Sequence, residues 1–130
     1  MKSYPYVVKT YIGKVSDGGV GGQEVVVVKV EHLSSSSSMN YDDCALPHIK
    51  RHSPDGFNWG YGGSGPADLA LSILTDYFGK DSEAVAYYQD FKSDIIAALP
   101  IDENWILEEK EIIAWWKGYK SGDVREKRRG

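Results

Sequence analysis

At Pro66 the apolar residues of this chain change their spacing, from every second position to every third or fourth. Alternation by two belongs to a strand, which sends successive side chains to opposite faces, and spacing by three and four belongs to one face of a helix. Strands first and helices afterwards predict an α+β fold, one small antiparallel sheet packed against about three helices. A length of 130 residues is enough for one core and too short for two full domains. Hydrophobic residues at 42% and charged residues at 26% exclude wholesale disorder and a membrane protein.

Before Pro66 the pattern predicts an N-terminal hairpin plus one or two short strands. Residues 6–15 carry Tyr6, Val8 and Ile12 on one face and Val7, Lys9 and Tyr11 on the other. The glycine-rich SDGGVGGQ, residues 16–23, reads as a flexible hairpin loop. The strand of 25–30 turns Val26, Val28 and Val30 one way and Val25 and Val27 the other, which predicts cover on both faces for part of its length. The serine run 34–38 buries nothing and reads as a second flexible loop. Residues 46–51 are expected as a short edge strand, because Pro47 cannot donate to a central ladder.

After Pro66 the spacing predicts a helix over 66–78, with Leu69, Ile73, Tyr77, Ala70, Leu74 and Phe78 inward and Gly79 as its stop. A second helix is expected over 83–99, capped by Ser82 and ended by Pro100, with Tyr87, Phe91, Ile95 and Leu99 as its stripe. Residues 105–107 read as a short strand, and 108–119 as a third helix facing Ile112, Ile113, Trp116 and Tyr119 inward. Trp115 and Trp116 are adjacent and cannot share a helix face, so one belongs to the core and the other lies near the surface. Residues 1–120 thus form one domain and 121–130 a basic tail.

Fifteen basic against nineteen acidic residues give a net charge of −4, which argues against duplex nucleic acid as a partner. Arg125, Lys127, Arg128 and Arg129 are a local exception, read as a solvated end. Cys44 is alone, so no internal disulfide forms, and the start MKSYPYVV lacks the apolar run of a signal peptide; a reducing cytoplasm is the expected compartment.

The informative segment is 52–68, HSPDGFNWGYGGSGPAD. Its opening Ser53-Pro54-Asp55-Gly56 is a β-turn sequence, and Phe57, Trp59 and Tyr61 alternate so that an extended chain would send all three rings to one face. Gly60 to Gly65 then spells G-x-G-x-x-G and runs directly into the helix. Backbone N–H groups of Gly62, Gly63, Ser64 and Gly65, with the helix end behind them, suit a phosphate. Trp59 or Tyr61 offers a ring to stack on a base, and Arg51 or His52 a charge to neutralise it. Ser53, Phe57 and Asp68 complete the candidate ligand-binding set. The architectural reading is that glycines let Trp59 and Tyr61 fold under the helix, while Asp68 complements the helix start and opposes an anion. Glycine at five of the ten positions 56–65 is a costly way to build a core, which favours a ligand.

Other constellations are weaker. A dinucleotide-binding fold needs a buried strand before the glycines and parallel strands around it, neither of which the sequence predicts. Cys44, His48 and His52, spaced by four, offer three zinc donors with Asp42 or Asp43 as a fourth, near an edge strand and two prolines. His52, Ser53 or Ser64, and Asp68 can be drawn as a hydrolytic triad, but no nucleophile elbow accompanies them. Asp102, Glu103, Glu108 and Glu109 mark a turn and a helix start. No cofactor or metal is expected.

Residues 52–116, through HSPDGFNWGYGGSGPADLALSIL, YQDFKSDIIAALP, Trp105-Ile106-Leu107 and 112–116, resemble the small bacterial, archaeal and phage proteins grouped as domain of unknown function 6166. Tyr11-Ile12-Gly13 resembles that family's N-terminal element. The resemblance implies no activity; its spread among phages implies an accessory role in conflict with the host. The expectation is a non-enzymatic protein that binds a small phosphorylated, nucleotide-like ligand and sequesters a defence signal. The alternatives are an inhibitor that docks on a host protein through exposed aromatic and acidic surface, and a small enzyme acting on such a ligand. No membrane is expected as a partner, and self-association as a homo-oligomer stays open.

Overall fold

The computed structural model describes residues 4–15, 23–35, 38–52 and 56–121. Strands β1 (Tyr6–Val15) and β2 (Gln23–His32) form the expected antiparallel hairpin, closed by Val15 opposite Gln23. The loop expected at 16–23 lies outside the described residues but for Gln23, which already belongs to β2. The remaining strands are β3 (Met39–Ala45) and β4 (Trp105–Glu108), and the sheet order is β3-β2-β1-β4 with every ladder antiparallel. Such a sheet has no βαβ unit, which leaves the G-x-G-x-x-G spelling without the setting of a dinucleotide fold.

The edge strand expected at 46–51 sits earlier, at β3. Residues 47–52 join no ladder: the backbone N–H groups of Ile49, Arg51 and His52 donate to side chains of the first helix instead. β3 is exposed at all seven positions and carries Asp42 and Asp43, so no apolar alternation announces it.

The helices are α1 (Ser64–Phe78), α2 (Tyr88–Asp94) and α3 (Glu109–Ser121). α1 begins two residues before Pro66, which is tolerated there because the first N–H groups of a helix have no internal acceptor. The long helix expected over 83–99 is broken into a 3₁₀ turn at Glu83–Tyr87, α2, and a second 3₁₀ turn at Ile96–Ala98. Ser82 caps the first turn as expected, its hydroxyl accepting from the N–H of Ala84. In α3, Ile112 and Tyr119 are buried as expected, but the buried tryptophan is Trp115, three residues after Ile112 and four before Tyr119, while Trp116 and Ile113, expected inward, are half-buried; the two tryptophans divide as their adjacency requires, the other way round.

The core lies between one sheet face and the helices. Tyr11, Val25, Val27, Trp105 and Leu107 come from the sheet, and Leu69, Ile73, Leu74, Phe91, Ile96 and Ile112 from the helical layer. Cover on both faces of β2 does not materialise among the described residues: Val25 and Val27 are buried, while Val26, Val28 and Val30 are only half-buried. No helix among the described residues is long and apolar enough to cross a membrane.

Candidate functional site

The glycine-aromatic segment crosses from the sheet to the start of α1, and most of its unusual composition is spent on that crossing. Phe57 forms an isolated antiparallel bridge with Gln23 and is buried. Trp59 is fully buried, edge-on to Trp105, and its indole N–H donates to the carbonyl of Glu103 at 3.1 Å. Gly60 donates its N–H to the carbonyl of Ile96 and sits at φ +84° with Ile101 where a Cβ would go, 2.7 Å away. Only glycine meets both demands cheaply. Gly65 is pressed against Asn58, and the ring of Tyr61 lies over Gly63.

Gly62 differs. It is exposed, its φ is not in the left-handed region, and no described residue lies within 4 Å of where its side chain would be. Beside it, Ser64 is exposed and Tyr61 presents 42% of its surface. The three rings therefore do not share a face: Phe57 and Trp59 point into the core, and Tyr61 alone is available to a ligand.

Asp68, one turn into α1, is fully buried and organises the other half of the site. Its Oδ1 accepts from the N–H groups of Arg51 (3.2 Å) and His52 (2.9 Å), and its Oδ2 lies 2.9 Å from His48 Nε2. Ser72, four residues on and on the same helix face, accepts from the N–H of Ile49 through its hydroxyl at 2.9 Å. The pair straps residues 48–52 onto α1 and holds the Arg51 and His52 side chains at the surface. There His52 Nε2 lies 2.8 Å from the Tyr88 hydroxyl, and the Arg51 guanidinium stands 5.9 Å from the Tyr88 ring centroid. Ser53 lies outside the described residues.

This geometry sorts the sequence-level candidates. Tyr61, Gly62, Gly63 and Ser64 gather at the start of α1, and Arg51 and His52 are strapped to its first turns. Gly65, Phe57, Trp59 and Asp68 are buried supports. The carboxylate of Asp68 pairs with the imidazole of His48, whereas His52 reaches it only through its backbone, so the triad sketched from His52 does not assemble. His48 and His52 also turn to different partners, and no group of three metal-ligating side chains converges among the described residues. His48, Ser72 and Tyr88 are contributors that the sequence reading missed. For Ser72 the signal was present, since two polar residues at i and i+4 inside an otherwise apolar helix need buried partners.

A second polar cluster lies at the other end of α1. Tyr11 donates its hydroxyl to Asp76 Oδ2 at 2.7 Å, Lys9 Nζ meets the same carboxylate at 3.3 Å, and Glu109 Oε1 accepts from the N–H of Lys9. Burial, reinforced by the hydrogen bond to Asp76 and its negative charge, pushes the Tyr11 hydroxyl far above the usual tyrosine range. Tyr77 is also raised, by burial and by Glu109.

These features define a small α+β sandwich whose strand-to-helix crossing presents an open glycine at a helix start. The chain belongs to the family of unknown function DUF6166, whose model matches residues 15–118. That range takes in the whole glycine-aromatic segment and all three helices but for the last residues of α3; Tyr11-Ile12-Gly13 lies just before it. Neither the curated proteins nor the solved structures contain a match.

Proposed function

We propose that this protein is a binding module without chemistry of its own, taking a small phosphorylated, nucleotide-like ligand at the start of α1. The observation that carries the reading is Gly62: Gly60 and Gly65 are held to glycine by backbone atoms pressed against them, Gly63 meets only the exposed ring of Tyr61, and Gly62 meets no described residue at all. A glycine with no structural duty beside an exposed helix start suits close approach of a ligand to the backbone. The N–H groups of Gly62, Gly63 and Ser64 hold the phosphate, Tyr61 stacks on the base, and Arg51 offsets the charge of Asp68. Sequestering a nucleotide signal, as an accessory of a phage or mobile element in the host cytoplasm, is the role suggested by the spread of the family.

The test is a thermal-shift screen of the full chain against nucleoside phosphates and cyclic dinucleotides at about 1 mM, where any ligand of useful affinity raises Tm. At least one compound is expected to stabilise the wild type, and Gly62→Val is expected to abolish that shift while leaving the ligand-free Tm unchanged. No shift with any compound overturns the reading. A second reading, docking on a host protein, is favoured by Tyr41, 68% exposed beside Asp42 and Asp43 on β3. Capture of a partner that survives Gly62→Val and is lost on Tyr41→Ala would establish it.

A further inference from the structure

The sheet face turned away from the helices carries Tyr6, Val8, Thr10, Ile12 and Lys14 on β1, opposite His32, Val30, Val28, Val26 and Glu24 on β2. Tyr41 extends this surface on β3 and Ile106 on β4, exposed at 68% and 64%. Its centre is five β-branched aliphatic side chains, and its charges, Lys14, Glu24, Asp43 and Glu108, lie toward its ends and edges. That is the anatomy of a protein interface, with an apolar centre and a polar rim. No described element packs on it.

From this face we infer that the protein associates as a symmetric dimer, sheet against sheet. The argument for a second copy is the register. A two-fold axis running between β1 and β2 exchanges the two strands, so each residue of one lies over the cross-strand partner of the other. Lys14 then meets Glu24 of the second copy twice over. Val8 meets Val30, Ile12 meets Val26, Thr10 meets Val28, and the stacked Tyr6 and His32 rings meet their counterparts. A foreign partner would have to reproduce that alternation; a second copy supplies it by symmetry. At about 3.3 Å per residue and 4.8 Å between strands the face covers roughly 500 Å². A pair therefore buries about 1,000 Å², the threshold for a specific interface. Asp43 comes nearest to Glu108 of the second copy, a like-charge approach on the exposed edge strands, where solvent and salt screen it. Edge-to-edge pairing through β3 would instead set acids against acids in a ladder, which disfavours that route. The dimer leaves both α1 starts on its outer layers, so it stands or falls independently of the ligand site.

Sedimentation equilibrium of the full chain across about 1 to 300 μM is the direct measurement. A species of twice the 14.5 kDa chain mass is expected to form with concentration. Val28→Glu should return it to monomer with the far-UV spectrum intact. Lys14→Glu should weaken the dimer about tenfold or more, and adding Glu24→Lys should restore it. If Val28→Glu fails to fold, the Lys14→Glu loss and its rescue decide alone. A monomer at every concentration overturns the inference and leaves the face to another protein. A dimer unchanged by Lys14→Glu places the contact elsewhere and overturns it equally.

Discussion

Asp68 is the single residue on which the candidate site depends most. Its carboxylate is fully buried and accepts from two backbone N–H groups on a segment with no ladder, while meeting His48. A buried acceptor removed from several donors leaves each of them unsatisfied, at about 1–3 kcal/mol apiece. Asp68→Ala is therefore expected to cost about 3 kcal/mol or more in urea unfolding, and to release residues 48–52 to rapid amide exchange. Asp68→Asn keeps an acceptor for Arg51 and His52 but turns an amide toward His48, so a smaller loss of about 1–2 kcal/mol is expected. Equal, small losses for both would show that the strap does not depend on this side chain. The pairing with Ser72 inside an apolar helix signals that Asp68 has buried partners, but which ones was not visible from the local sequence, where it reads as an acid near a helix start. The donors that bury it lie 16 to 20 residues upstream, in a stretch that resembles a strand.

At the level of elements, β1 and β4 join two distant parts of the chain, and Gly13 makes that join possible. The Trp105 ring lies so close over Gly13 that a Cβ there would fall 2.1 Å from its Cε2. Trp105 cannot retreat easily, because it is itself buried and stands edge-on to the buried Trp59. Gly13→Ala is expected to cost about 1–3 kcal/mol by chemical denaturation, as overpacking in a filled core does. The companion Gly13→Ala with Trp105→Leu should recover part of that loss; no recovery would remove the ring as the cause. β1 was legible in advance from its β-branched and aromatic residues and β4 from its short apolar run, and α1 and α3 because their apolar stripes run long. β3 was not, since an edge strand exposed along its whole length has no buried face to write a pattern. The break inside 83–99 was equally hidden, as a stripe at three- and four-residue spacing fits a run of 3₁₀ and α turns nearly as well as one helix. The glycine segment was legible as a place and only partly as a purpose: contacts such as Gly60 with Ile101 join residues far apart in the chain, and the spacing of the glycines does not record them.

For the whole molecule, the cluster of Tyr11, Lys9, Asp76 and Glu109 ties β1 to both the end of α1 and the start of α3, so its protonation is linked to global stability. In the folded chain a Tyr11 phenolate would be buried beside Asp76, and its hydroxyl therefore holds its proton well above the ordinary tyrosine range. In the unfolded chain the same hydroxyl ionises near pH 10. Below that value both states keep the proton and stability is indifferent to it. Above it the unfolded state has lost a proton that the folded state retains, so stability falls as pH rises, by about 1.4 kcal/mol per pH unit for one such group. Tyr77, raised in the same direction, adds to the slope. Urea unfolding at intervals between pH 8 and 11.5 is expected to show this alkaline decline, with absorbance at the phenolate band appearing for Tyr11 only as the protein unfolds. Tyr11→Phe should lower stability by about 1 kcal/mol at pH 8, through loss of the hydrogen bond to Asp76. It should also show a visibly shallower decline above pH 10, so that the two stability curves converge and then cross. Parallel curves for wild type and variant would mean that alkaline sensitivity arises elsewhere and that this cluster holds the layers together without coupling them to pH.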